Sequence, residues 1–289
     1  MYIVFSEKCL EYWEPGHPES PDRVYQAYKL LRERGLKFVQ AEPCREEDLL
    51  LVHSRKFVEA VKNEMLYDPD TPNLPGIYEY ARLSAGSAIK SMEVALEGEK
   101  AFSLMRPPGH HAGVNGRALG APTLGFCYFN NIAIACVKAL EKVERIAILD
   151  IDSHHGNGTQ EIFFRNPKVL FVSLHRYGGI YPGTGGISEG NCLNYPFTYV
   201  VGDSEYLRTL KIALDDIKKF NPDLIAVSAG FDAHRHDPVC SLGLSEDSYI
   251  TIGRMIADLN KRTFAVLEGG YGRYFPICVF NFLSGLEQY

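Results

Sequence analysis

Six short apolar runs recur along the chain, at 2–5, 102–104, 146–150, 169–174, 224–228 and 263–267, and each ends in polar or glycine-rich residues. They are apolar nearly throughout rather than alternating, as strands covered on both faces are. Longer amphipathic stretches lie between them, and their spacing predicts helices over 21–34, 55–64, 77–96, 130–142, 205–220 and 246–260. Ser20 before Pro21 and Ser245 before Glu246 are the expected helix caps. The alternation predicts the α/β class, with a single parallel β-sheet between helical layers. Such sheets bind ligands beyond the carboxyl ends of their strands.

No repeat, low-complexity stretch or linker divides the 289 residues, so one domain over 1–289 is expected. The formal charge of -6 argues against direct nucleic-acid binding and leaves small molecules and cationic groups as partners. No run approaches the roughly 20 apolar residues that span a bilayer, and no basic leader precedes a cleavage site. The seven cysteines form no CxxC pair, which suits reduced thiols. A cytoplasmic protein without membrane contact is expected, and no oligomeric partner is evident.

The residues that bear chemistry cluster at the predicted strand ends. In DIDSHHGNG, Asp150, Asp152 and His154 fall at i, i+2 and i+4. If the backbone stays extended there, all three point to one side. Asp232, in SAGFDAHRHDP after another strand, supplies a further carboxylate. Two carboxylates and an imidazole with an open position suit catalytic Zn²⁺, and such an oxygen-rich set also suits Fe²⁺. The plainer alternative is that the aspartates cap a helix and the histidines are solvated. In RPPGHHAG, His110 and His111 follow a proline-glycine turn. One of them could take a proton from water and return it to a leaving amine, the other giving electrostatic support. Each would need a partner on its far nitrogen, and Asp150 and Asn157 are available. In LEGGYGR a glycine turn carries Tyr271, whose phenol could polarise a carbonyl. Phe126 and Tyr181 could wall a narrow tunnel. Taken singly, a His-His pair, a Gly-Gly-Tyr turn and two aromatics are ordinary structural features.

Taken in order, RPPGHHAG, GFCYFNN, DIDSHHGNGTQ, VSLHRY, YPGTG, NPDLIAVSAGFDAHRHDP and LEGGY resemble the histone deacetylase superfamily, as does HPESPDRV near the N-terminus. That superfamily includes bacterial and archaeal deacetylase-like proteins and acetylpolyamine amidohydrolases. The resemblance implies the arginase/deacetylase fold and a zinc-dependent hydrolase acting on linear amide bonds of acyl-lysines or acylated small amines. It puts Asp152, His154 and Asp232 at the zinc ligand positions. His111 takes the acid/base position and His110 its electrostatic neighbour. Asp150 and Asn157 orient the two histidines, with asparagine at 157 similar to the class II pattern. Tyr271 matches the carbonyl-polarising tyrosine and Arg23 an arginine of the internal channel. Phe126 and Tyr181 match tunnel aromatics, and Val239 a gatekeeper-like position. Asp150, Asp152, His154, Ser173 and Leu174 fall in the segments that bind a structural K⁺.

Some features depart from the family pattern. Ser153 replaces a larger, usually apolar residue, and the segment 113–124 is longer than is typical. Val239 stands where polyamine-selective relatives can carry an acid, and the long dimerising insertion of those relatives is absent. A polyamine substrate is thereby less favoured, and an acetylpolyamine amidohydrolase remains the alternative. A ureohydrolase would need a second metal, but Gly156 cannot ligate and only His234 or His236 could be recruited. A catalytically silent acyl-ligand binding protein would be expected to have lost a ligand or the tyrosine, and this chain keeps them all.

Overall fold

The apolar runs pair as parallel strands. The computed structural model describes residues 1–288. Its strands are β1 (Tyr2–Phe5), β2 (Lys37–Gln40), β3 (Ala101–Ser103), β4 (Ala112–Gly113), β5 (Gly116–Arg117), β6 (Ile146–Asp150), β7 (Val169–Arg176), β8 (Cys192–Phe197), β9 (Leu224–Ala229) and β10 (Arg262–Leu267). Its helices are α1 (Pro21–Glu33), α2 (Glu46–Leu49), α3 (Arg55–Lys62), α4 (Ile77–Leu96), α5 (Asn131–Ala139), α6 (Asn157–Phe163), α7 (Gly202–Phe220), α8 (Ser248–Ala257) and α9 (Phe275–Glu287). Eight strands form one sheet in the order β2-β1-β3-β10-β9-β6-β7-β8. Every neighbouring pair in it is parallel. A two-stranded antiparallel hairpin, β4-β5, stands apart.

Strand residues alternate between two apolar cores. Ala147, Leu149, Ile225 and Val227 pack with residues of α1, α7, α8 and α9. Ile146, Ile148, Leu224 and Ala226 pack with residues of α3, α4 and α5. Burial on both faces explains why these strands lack a polar alternation.

β2 and β8 were not anticipated from the sequence. Both are sheet edges with half-buried residues, and β8 contains Pro196, which edge strands tolerate. α9 was missed because it is apolar on most of its circumference and shows little helical period. α6 was missed because it is short and polar. The two expected caps need correction. Ser20 stands at the N-cap of α1 but its side chain makes no capping bond. Ser245 lies before the first turn of α8, whose N-cap is Asp247, and its hydroxyl donates to Asp203 instead.

The order β3-β10-β9-β6 makes the four strands that precede the motifs consecutive neighbours. Their carboxyl ends lie on one rim, bringing together residues from 105–111, 150–158, 230–237 and 268–273. No helix among the described residues is long and apolar enough to cross a membrane.

Candidate active site

β6 ends at Asp150, and the extended backbone expected through His154 does not continue. Instead, the Asp152 N–H donates to Asp150 Oδ1 (3.0 Å) and the His154 N–H to Asp152 Oδ1 (2.8 Å). These are two successive turns, each closed by an aspartate side chain on the amide two residues on. They swing Asp152 and His154 toward the end of β9. There Asp232 Oδ1 accepts from Ser153 N–H at 2.8 Å, while Asp152 Oδ2 accepts from Gly269 N–H at 2.7 Å.

Ligating atoms of Asp152, His154 and Asp232 lie within 4.8 Å of one another, and all three residues are buried. His154 Nδ1 is 2.7 Å from Asp232 Oδ2. Apart from this contact, Oδ2 has no hydrogen-bond partner. Two ligand atoms aimed at a common point produce such a contact. Burying several carboxylates without compensation is costly. The unpartnered oxygen and the donor set, one nitrogen and two carboxylates, therefore fit a divalent cation. Among the described residues a second metal finds no comparable support. A Cβ on Gly156 would lie 2.2 Å from Asp150 Oδ2. His234 turns to Glu246 and packs with His236 on Tyr274, outside this cluster.

The histidine pair follows from a tight turn. Gly109 has no room for a side chain, since a Cβ there would meet Phe129 O at 2.4 Å. The Gly109 and His110 amides both donate to Glu268 Oε2, at 2.8 and 3.2 Å. Adjacent side chains diverge on an extended segment, but here the two imidazole centroids are 4.0 Å apart. Their partners differ. His110 Nδ1 lies 2.8 Å from Asp150 Oδ2, and His111 Nδ1 lies 2.7 Å from Asn157 Oδ1. Asn157 Nδ2 donates to Ala118 O, which fixes the amide so that Oδ1 faces His111. His111 must then carry its proton on Nδ1, leaving Nε2 with a lone pair.

The electrostatics separate the two rings further. Burial alone would lower the pKa of His110, but Asp150, Asp152 and Glu268 overcome it and push the imidazole up to about 10. Burial, followed by the positive charge of His110, holds His111 well below its ordinary value. At neutral pH one ring is cationic and its neighbour is neutral.

Tyr271 follows the glycine turn after β10. Its ring lies under the Arg23 guanidinium (4.8 Å) and edge-on to Phe126 (5.7 Å). Burial pushes the phenol well above its ordinary value and Arg23 opposes that shift, so the group is a proton donor at neutral pH. Arg23 also binds Gly270 O at 2.8 Å and Glu19 Oε1 at 3.0 Å, and donates to Glu268 O. Tyr181 stands edge-on to both His111 (4.9 Å) and His154 (6.1 Å). Phe126 has a φ of +68°, which is unfavourable for a bulky residue. It is held there because Gly125 and Phe126 donate their amides to Asp70 Oδ1 and Thr71 Oγ1. The two aromatics thus flank the histidines and the tyrosine. Val239 is 38% exposed, at the surface of its loop.

The residues expected around K⁺ are also neighbours. Asp150 is paired with Ser173 across β6 and β7, Leu174 follows, and all five residues are buried. Ser153, the noted departure, is buried with an unpartnered hydroxyl. Glu268 in LEGGY and Asp237 in HRHDP have no role that their motifs announce. Each accepts several backbone N–H groups that shape the site. For Glu268, a buried acid directly following an apolar strand was the available signal; Asp237, on a loop, had none. Arg106, fully buried with its guanidinium on Glu19, was passed over in the same way.

A cation-suited triad at the rim of a parallel sheet, beside one cationic and one neutral imidazole, defines the class of α/β hydrolases that activate water. Comparison with known proteins makes the class specific. The histone deacetylase domain pattern matches residues 17–275. The chain is 40% identical to the histone deacetylase-like amidohydrolase of Pseudomonas aeruginosa, over 94% of this chain and 78% of that protein. It is also 40% identical to a probable deacetylase of Archaeoglobus fulgidus, over 93% of this chain and 80% of that protein. The crystal structure of the HDA15 HD domain superposes with a TM-score of 0.90 at 33% identity, covering 100% of this chain and 91% of that one. The chain belongs to the histone deacetylase family, has the arginase/deacetylase fold, and is by family a hydrolase of the deacetylase and amidohydrolase type.

Proposed function

We propose that the protein is a metal-dependent deacylase that cleaves the amide of an acyl-lysine or an acylated small amine. The observation that carries this reading is the unequal pair of imidazoles beside the triad. His110 is bound to a carboxylate and His111 to a neutral amide. Asp152, His154 and Asp232 would hold the metal, with Zn²⁺ favoured by the donor set and Fe²⁺ compatible with it. When bound, the cation supplies Lewis acidity to the substrate carbonyl and to water.

The side chains divide the remaining work. His111 Nε2 takes a proton from the attacking water as its oxygen bonds to the carbonyl carbon. The cationic His110 stabilises the negative charge that develops. Tyr271 donates its hydroxyl proton in a hydrogen bond to the carbonyl oxygen as that oxygen becomes anionic. When the C–N bond breaks, His111 returns the proton to nitrogen, releasing a carboxylic acid and a free amine. Phe126 and Tyr181 supply apolar walls for a slim acyl-bearing chain. Asp150, Asp152, His154, Ser173 and Leu174 would hold K⁺ through oxygen donors.

The test is a turnover panel of acetyl-lysine peptides, acetylated polyamines and longer acyl-lysines, run with Zn²⁺ and with Fe²⁺. Release of free amine in one of these classes is expected. An absence of turnover in all of them by protein carrying metal would overturn the reading in favour of a silent acyl binder.

A further inference from the structure

Asp237 lies on the loop between β9 and α8, past Asp232, and touches none of the triad residues by hydrogen bond. Its carboxylate is shared between two backbone segments. Oδ2 accepts from the Tyr271 and Gly272 amides, at 2.7 and 3.0 Å. Oδ1 accepts from the Val239 and Cys240 amides, at 2.9 and 3.3 Å. Hydrogen bonds from N–H groups to an ionised carboxylate are stronger than neutral ones. The two segments also pack closely, since a Cβ on Gly272 would come within 3.0 Å of His236 O and 3.3 Å of Asp237 Cα.

The turn that carries Tyr271 has little stiffness of its own. Gly269 and Gly270 precede it, and Gly270 has a φ of +116°, open to glycine and to few other residues. The peptide unit joining Gly270 to Tyr271 is instead gripped at both ends. Arg23 Nε donates to its oxygen, and Asp237 Oδ2 accepts from its N–H. A cation and an anion thus fix the plane from which the phenol projects.

We infer that Asp237 is a positioning residue for the deacylase reaction, holding Tyr271 on the substrate carbonyl by tying its turn to the 239–240 segment of its own loop. This rests on the role proposed for Tyr271. A misplacement of about 1 Å at such a group costs on the order of 100-fold in rate. The substrate-binding walls at Phe126 and Tyr181 have no bond to Asp237, so kcat rather than KM should respond.

The test compares Asp237→Asn and Asp237→Ala in the full-length protein, each in the wild-type and in the Tyr271→Phe background. Asparagine keeps one acceptor oxygen and can serve one of the two segments, so it tests the idea if alanine fails to fold. In the wild-type background Asp237→Asn should lower kcat by about 10- to 100-fold with KM nearly unchanged and metal content intact. In Tyr271→Phe the same change should cost less than about 2-fold, because the group it positions is already gone. Equal losses in both backgrounds would overturn the inference. Amide hydrogen exchange gives a readout independent of turnover. The Tyr271 and Gly272 amides should exchange faster in Asp237→Ala while those of β10 stay protected. Unchanged exchange at 271 and 272 would sink the inference even in an active enzyme. The expected acceleration in a protein that hydrolyses no acyl-amine would uphold the tether and count against the deacylase reading.

Discussion

His111 Nδ1 sits 2.7 Å from Asn157 Oδ1, whereas His110, one residue earlier, has a carboxylate on the equivalent nitrogen. A neutral amide orients an imidazole without paying for its charge. A carboxylate does both. Two neighbouring rings of identical chemistry are in this way assigned opposite protonation states, and the assignment rests on the residue types at 150 and 157.

Replacing the amide should shift that balance. Asn157→Asp places a second carboxylate against His111, which favours the imidazolium. The base must be neutral to accept a proton, so the acidic limb of the kcat/KM profile should move to higher pH, by about one unit or more. The new carboxylate oxygen also faces Ala118 O in place of a donor, with a stability cost of about 1–3 kcal/mol. A pH–rate profile and a urea titration check the two effects. An unmoved acidic limb would mean that His111 is not the titrating base.

Asp232→Asn keeps the volume and one acceptor oxygen for Ser153 N–H but removes the charge. If Asp232 is a ligand, the variant should lose metal affinity by more than the 10- to 100-fold typical of an outer partner. Metal per chain after dialysis, measured by atomic absorption, decides this. Wild-type occupancy in the variant would remove Asp232 from the ligand set.

Glu268 holds the turn before the histidines through the Gly109 and His110 amides, with Ser228 Oγ on its other oxygen. Burial pushes its carboxyl up to about 7, so a neutral side chain is tolerable there. Glu268→Gln can keep the acceptor on the two amides and donate to Ser228, and should retain kcat within about 5-fold. Glu268→Leu leaves both amides unpaired, at about 1–3 kcal/mol each, and should lower kcat by roughly 100-fold. Equal damage from Gln and Leu would show that the charge, and not the hydrogen bonds, matters.

The contrast between Asp232 and Asp237 shows what the sequence could convey. Central strands, covered on both faces, announce themselves as apolar runs, so the ends of β6 and β9 and the residues just beyond them were legible. The candidate carboxylates and imidazole were legible from residue type and spacing, and the family resemblance singled out Asp152, His154 and Asp232. The path of the chain between those residues was not legible, because the turns at Asp150 and Asp152 depend on side chains bonding the backbone two residues on. Asp237 and Glu268 escaped for a related reason. They act on main-chain amides that any residue would carry, so no motif in the partner segment marks them. Edge strands β2 and β8, open on one side, lacked the continuous apolar signal.

A neutral histidine buried beneath the hairpin offers a stability test outside the catalytic cluster. His53 Nδ1 lies 2.9 Å from Gly113 O, and Nε2 accepts from Asn130 N–H at 2.9 Å. That pairing requires the proton on Nδ1, and a second proton on Nε2 would confront the Asn130 amide. Burial lowers His53 from an ordinary value of 6.5 to about 4, only partly offset by the Gly113 bond. The unfolded chain therefore takes up a proton as pH falls below about 6.5, and the folded chain resists until about 4. The stability contributed is complete above 6.5 and is lost through this window, amounting to on the order of 3 kcal/mol. His53→Gln can donate to Gly113 O and accept from Asn130 N–H without titrating. Its unfolding free energy, measured in urea from pH 7.5 to 4, should fall less steeply than that of the wild type, the gap closing by about 2–3 kcal/mol. Parallel curves would mean that His53 is not held neutral in the fold.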